Sequence, residues 1–173
     1  DGSLYRGAKP VMWSPVEKTA LAEAEIEYED HTSTTIYARF PVRQPSHPAL
    51  ADASIVIWTT TPWTMPGNRA LACGNGIDYT VVRIDEIDDG SHAIVGDVIV
   101  LAEALSEEVF AAIGVAKYTA LNRLSGADCV GTVAAHPLAE HGYDHDVPLF
   151  HADYVTTEQG TGFVHIAPGH GVE

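Results

Sequence analysis

A β-rich α+β domain, with few short helices and the strand pattern of a distorted β-barrel, is the fold class this chain predicts. Three observations carry it. Stretches of β-branched and aromatic residues recur along the chain, each short and bounded by Gly, Pro or Asp. One stretch, ending at Gly114, holds apolar residues at helical spacing. And 173 residues with 46% apolar and 19% charged content suffice for one domain with a real core. Strands joined by turns, with a single good helix, belong to that class.

The elements follow in order. Residues 9–16 read as a short extended piece broken by prolines, and 18–24, rich in alanine, as a turn of helix. Glu25-Ile26-Glu27-Tyr28-Glu29 alternates polar and apolar as a half-buried strand does, and 34–40 is a stronger strand. Residues 41–53 carry three prolines and predict a loop. Strand 54–61 feeds three threonines into turns at Pro62 and Pro66. A strand over 79–84, a turn at 88–91 and extended structure over 92–95 come next. Leu101, Leu105, Val109, Phe110 and Ile113 mark the helix, with Gly114 as its stop. Residues 118–124 and 130–134 read as strands. The run 135–152, rich in His, Asp and Pro, reads as a solvated surface excursion. Residues 154–157 and 163–166 close the set of strands.

Charge and composition exclude several classes. The net charge is −15, from 9 basic and 24 acidic residues. Gripping duplex DNA relies on Lys and Arg, so DNA is not an expected partner, although a short single-stranded end is compatible. There is no polybasic segment and no apolar run of membrane-spanning length, so no membrane is expected. The opening residues Asp1 to Arg6 lack the pattern of a signal peptide. Cys73 and Cys129 stand far apart, which fits a reduced, cytoplasmic setting.

Two stretches concentrate the chemistry. The first is Trp58-Thr59-Thr60-Thr61-Pro62-Trp63-Thr64-Met65-Pro66-Gly67-Asn68-Arg69. A strand buries alternate side chains, so at least one of three consecutive hydroxyls faces inward and needs a partner, which a bound polar ligand would supply. The second is Gly160-Thr161-Gly162-Phe163-Val164-His165-Ile166-Ala167-Pro168-Gly169-His170-Gly171. Here glycines let the backbone turn, and His165 shares a sheet face with Phe163. Taken singly, each feature reads as ordinary structure: threonine favours strands, and a mid-strand histidine is more often structural than catalytic. Nine histidines raise the thought of a metal, but no pair has the helical His-Glu-x-x-His spacing, so no metal is expected. No Gly-x-Ser-x-Gly elbow or activated cysteine motif supports a nucleophilic hydrolase. No glycine cluster has dinucleotide or P-loop spacing.

Together the two stretches change the odds. The segment Trp58 to Ala70 resembles the threonine-rich motif of the editing domain of isoleucyl-tRNA synthetases, and Gly160 to Gly171 resembles the second signature of the same domain. Thr61-Pro62-Trp63 separates it from the valyl and leucyl relatives, which typically carry Thr-Arg-Pro there. Lys9 to Trp13 and Ala20 to Tyr28 look like the segment leading into that domain, so the resemblance covers nearly the whole chain. It implies a connecting segment over 1–24 and an editing domain over 25–173, inserted in a class I catalytic core.

The resemblance also implies a task. A pocket shaped for isoleucine rejects valine poorly, because one methylene is worth only about 1–3 kcal/mol, a limit that isoleucyl-tRNA synthetases usually illustrate. A second, smaller pocket then hydrolyses valine from the 3′ aminoacylated end of tRNA(Ile), and valyl-adenylate is a further candidate. Thr59, Thr60, Thr61, Thr64 and Asn68 would serve the adenosine, the ester and a water, with His165 as the size filter. Trp58, Gly160, Thr161, Gly162, Phe163, Val164, Ala167, Pro168 and His170 would line the pocket. An aminoacyl ester is already activated, so positioned water and oriented dipoles suffice. No cofactor is implied for this chain; ATP and Mg belong to the parent synthetase, itself an implied partner.

Two departures from the family's pattern matter. Where many bacterial relatives carry Cys-x-x-Cys, this chain has Ser14 and Glu17, so no zinc is expected there. The family's aspartate that binds the substrate ammonium would be the residue after Glu173, so the chain alone is expected to hydrolyse weakly or not at all. The alternatives are a non-catalytic module binding a nucleoside or tRNA 3′ end, and a free-standing trans-editing hydrolase.

Overall fold

A computed structural model describes residues 4, 6–7, 11–30 and 32–170. These fall into two compact units, one drawn from residues up to Ser33 and one running from Thr34 onward. The expected joint after residue 24 concerns a parent enzyme and is a different boundary.

The first unit holds a small hairpin of β1 (Trp13–Ser14) and β2 (Thr19–Ala20). Ser14 and Glu17 close its turn, the Glu17 N–H donating to Ser14 Oγ at 3.2 Å. The helical turn expected at 18–24 is a 3₁₀ turn at Glu23–Glu25. The strand expected at 25–29 does not form: its alternation has no neighbouring strand to pair with among the described residues, and Tyr28 stays exposed.

The second unit is a mixed nine-stranded sheet. In chain order its strands are β3 (Ile36–Gln44), β4 (Ala53–Thr59), β5 (Ala70–Cys73), β6 (Asp78–Ile87), β7 (Val98–Ala102), β8 (Val115–Ser125), β9 (Val133–Ala135), β10 (Asp146–His151) and β11 (Phe163–Ile166). Their order across the sheet is β11-β5-β10-β9-β3-β4-β7-β6-β8. The pairs β5–β10 and β4–β7 are parallel and the rest antiparallel. Phe40, Ile55, Ile57, Leu71, Tyr79 and Leu101 form the centre of the core. Its helices are few and short, as expected: α1 (Ser106–Ile113), α2 (Gly126–Cys129) and some 3₁₀ turns.

The sheet curls so that its two ends approach. Tyr79 of β6 packs on Phe163 of β11 at 4.4 Å between ring centroids, and its hydroxyl donates to the Gly162 carbonyl at 2.6 Å. The Ala102 N–H, at the end of β7, donates to Thr161 O at 2.8 Å. No ladder joins β11 to β8 among the described residues, so the barrel is an open, curled sheet.

Several expectations are corrected. The loop expected over 41–53 is partly strand, because β3 runs to Gln44. Pro41 is tolerated where the strand changes neighbours: Pro41–Ser54 is the last pair of β3 with β4, and pairing with β9 starts at Val42. Leu101 belongs to β7 rather than to the helix, which begins at Ser106 and ends, as expected, at Gly114 with φ 71°. Residues 92–95 and 154–157 form no strand. The run 135–152 is a solvated face only in part: His141, Asp144, Asp146 and His151 are exposed as expected, but β10 lies inside the sheet, with Val147, Leu149 and His136 buried.

Candidate functional site

The threonine segment leaves β4 and tightens into a 3₁₀ turn over Pro62–Gly67. Pro62 opens it with a preset φ, and Pro66 lies inside it, where it can donate no hydrogen bond. Within the segment the hydroxyls divide by role. Thr59 Oγ1 accepts from the Thr61 N–H at 3.0 Å. Thr64 Oγ1 donates to Thr61 O at 2.8 Å. Both side chains are buried and committed to the turn. Thr60 and Thr61 face each other at a long 3.4 Å, Thr60 being exposed and Thr61 half-buried, and their hydroxyls are largely uncommitted.

The second segment meets this turn through the ladder. β11 pairs antiparallel with β5, which begins just after Asn68, setting His165 opposite Leu71 and Ile166 opposite Ala70. The Arg69 N–H donates to Ile166 O at 2.9 Å. His165 therefore sits between Thr64 and Asn68: its Nε2 is 2.9 Å from Thr64 Oγ1, and its Nδ1 is 3.1 Å from Asn68 Nδ2.

The tautomer follows from the partners. Asn68 Nδ2 also donates to Ala70 O at 2.9 Å, which fixes the amide's orientation. His165 Nδ1 must then accept, so Nε2 carries the proton and donates to Thr64. Burial pushes the His165 pKa down, and His136 and His170 push the same way. Both ring nitrogens are thus engaged, and the neutral ring is fixed in orientation. Asn68 is fully buried, yet its Oδ1 has no hydrogen-bond partner among the described residues. An unpaired buried acceptor is costly, and among the described residues this atom is the one polar group of the network left unsatisfied.

The other predicted residues separate into two groups. Trp58 flanks Gly160, where an added Cβ would meet its ring at 3.6 Å, and the His170 ring lies against Gly67. These, with half-buried Ala167 and exposed Pro168, border the His165 network in sequence or space. Thr161, Gly162 and Phe163 are buried and serve the fold: the Thr161 hydroxyl is 3.3 Å from Phe163 O, and Phe163 packs on Tyr79. Val164 points to the opposite sheet face from His165, by the alternation of the strand.

Two residues of this neighbourhood escape the sequence reading. His136 Nε2 lies 2.8 Å from Met65 O, and His145 Nε2 lies 3.0 Å from Asn68 O. The alternation of Val147 and Leu149 is the signal that this run enters the core. A cavity of about 620 Å³ opens elsewhere, lined by Tyr37, Arg39, Asp97 and Ile113 among others and by none of the motif residues.

Known proteins place this arrangement in a family. The family model for tRNA synthetases class I (I, L, M and V) matches residues 1–164. The chain belongs to the class I tRNA synthetases. Among class I synthetases it is 51% identical over 175 residues to the isoleucine–tRNA ligase of Bradyrhizobium diazoefficiens, covering all of this chain and 18% of that protein. It is 52% identical over 174 residues to the corresponding ligase of Gluconobacter oxydans, covering 99% of this chain and again 18% of the relative. The chain thus spans under a fifth of the length of these curated relatives. Among solved structures, GlLeuRS-CP1 matches with a TM-score of 0.60 at 16% identity, over 78% of this chain and 55% of that one. The editing domain of the P. knowlesi cytosolic leucyl-tRNA synthetase matches with a TM-score of 0.59 at 13% identity, over 81% and 60%. At that identity the likeness establishes a shared editing-domain fold. No helix among the described residues is long and apolar enough to cross a membrane.

Proposed function

We propose that this chain is the editing domain of an isoleucyl-tRNA synthetase, hydrolysing valine from the 3′ end of mischarged tRNA(Ile). The observation that carries the reading is the His165 ring, held at both nitrogens by Thr64 and Asn68 where the two motifs meet. A rigid neutral imidazole suits a size filter, which must not yield to the larger isoleucine side chain. Thr60 and Thr61 offer uncommitted hydroxyls to the terminal adenosine and the ester. Asn68, sealed beneath the site, sets the ring through its amide. No side chain need form an acyl-enzyme, because an aminoacyl ester needs only an oriented water and dipoles placed toward the developing charge. Valyl-adenylate is a second substrate on this reading. ATP and Mg serve the parent synthetase, whose other domains supply most of the grip on the tRNA, since an acidic surface repels phosphate. A cytoplasmic setting follows from that role.

The test is deacylation of valyl-tRNA(Ile) and isoleucyl-tRNA(Ile). It uses this chain alone and grafted into the Bradyrhizobium ligase in place of the matching stretch. The graft is expected to cleave the valyl ester and spare the isoleucyl ester, and Thr60→Ala with Asn68→Ala to abolish cleavage. If a 3′-end nucleoside analogue binds while neither form cleaves the ester, the chain is a binding module and the proposal fails.

A further inference from the structure

The turn that carries Thr64 and Asn68 is held from behind by two histidines of the segment between β9 and β10. His136 directly follows β9 and His145 directly precedes β10, so the connecting loop returns both rings to the same place. His136 is 1% exposed and is satisfied at both nitrogens: Nδ1 accepts from the Leu138 N–H at 3.0 Å and Nε2 donates to Met65 O at 2.8 Å. Arg69 Nη1 donates to Asn68 O at 2.9 Å, and His145 Nε2 lies beside both, 3.0 Å from Asn68 O and 3.2 Å from Arg69 Nη1. The two rings pack at a tilt of 47°, 5.1 Å between centroids, and Tyr143 stacks on His136 at 5.3 Å.

We propose that His136 and His145 are positioning residues for the site, fixing Thr64 and Asn68, and through them the His165 ring, by way of the Met65 and Asn68 carbonyls. The prolines at 62 and 66 fix φ only at their own positions, and the few internal bonds of a six-residue 3₁₀ turn have poor geometry, so Thr64, Met65 and Asn68 depend on outside contacts for their place. Met65 O already accepts the Asn68 N–H at 3.0 Å, so the His136 proton is the second donor on an oxygen that also sets where Asn68 begins. Burial holds His136 in its neutral form, so the bond keeps its direction at physiological pH. The functional part of this inference rests on the hydrolysis proposed above; the positional part does not.

Two substitutions separate positioning from plain folding. His136→Gln keeps an N–H donor where Nε2 lies and loses the acceptor for Leu138. His136→Asn keeps that acceptor and loses the bond to Met65. The chain, labelled with ¹⁵N-histidine, is read for the His165 ring nitrogen signals, for its urea midpoint, and, in the grafted ligase, for the kcat and KM of valyl ester cleavage. We expect His136→Asn to move the His165 signals and lower kcat about tenfold with KM little changed, since small misplacements cost that much or more. His136→Gln should move both less, even where its urea midpoint drops as far. Should His136→Asn fail to fold, His145→Ala, at a half-buried position, is the companion test and should shift the same His165 signals. Unchanged His165 signals in the folded variants, or equal shifts for Gln and Asn, overturn the proposal. Shifted signals in a protein that cleaves no ester leave the brace standing and count against the hydrolysis alone.

Discussion

His165 and Asn68 meet side chain to side chain at 3.1 Å, although 97 residues separate them in the chain. The orientation of the contact is forced, because the Ala70 carbonyl holds the Asn68 amide with its NH₂ toward the ring. A protonated His165 would present N–H to N–H. The pair therefore ties the shape of the site to one protonation state.

That tie predicts a pH profile. An unfolded histidine titrates near 6.5, and the folded His165 lies below this because of burial, then His136 and His170. Above 6.5 both states are neutral. Below it the unfolded chain gains a proton that the fold refuses, so stability falls with pH until the folded midpoint is passed. His136, also lowered by burial, adds in the same direction. The urea midpoint should decline between pH 7 and 5.5, with His165 titrating below 6.5 by NMR. A flat profile with an ordinary His165 midpoint contradicts the geometry.

The threonines should split by role. Thr64→Ala removes the partner of His165 Nε2 inside a buried network and should cost about 1–3 kcal/mol of stability. Thr60→Ala touches an exposed hydroxyl and should stay within about 0.5 kcal/mol of the wild type. Urea denaturation checks both values. Ester cleavage, where present, should fall in each.

Gly162 and Gly160 look alike in the motif yet differ in setting. Both have left-handed backbones, with φ of 77° and 83°. A Cβ on Gly162 would lie 2.4 Å from Ala102 Cβ, whereas on Gly160 the nearest atom is 3.6 Å away. Gly162→Ala should cost about 2–5 kcal/mol, combining backbone strain with overpacking. Gly160→Ala should cost about 1–2 kcal/mol, from the backbone alone. Equal urea midpoints for the two variants would refute the packing argument.

The two cysteines should be silent. Both are fully buried, and burial pushes Cys73 up to about 11 and Cys129 up to about 12. A thiol reagent at pH 8 should label neither in the folded chain and both in urea, because the thiolate is the reactive form. Rapid labelling of either in the native state would contradict this placement.

The two family motifs were legible because each is long, local and dense in residues whose chemistry is specific. The helix stop at Gly114 and the strands around Tyr79 and Tyr118 were legible from propensity. β5 was not: four small or apolar residues, Ala70 to Cys73, carry no period, and both of its partners lie more than 70 residues downstream. The same distance hid the roles of His136 and His145. A run of His and Asp reads as solvated until a parallel pairing draws β10 inward, and composition cannot report such a pairing.

The register of β11 on β5 has a consequence for how this site tolerates change. His165 faces Thr64 because it sits opposite Leu71, and the strand alternates faces at every step. Deleting or inserting one residue between Asn68 and Cys73 would bring Val164 or Ile166 round in its place and turn the imidazole out of the site. Along these strands, natural variants should accumulate by exchange of side chains and hardly ever by change of length.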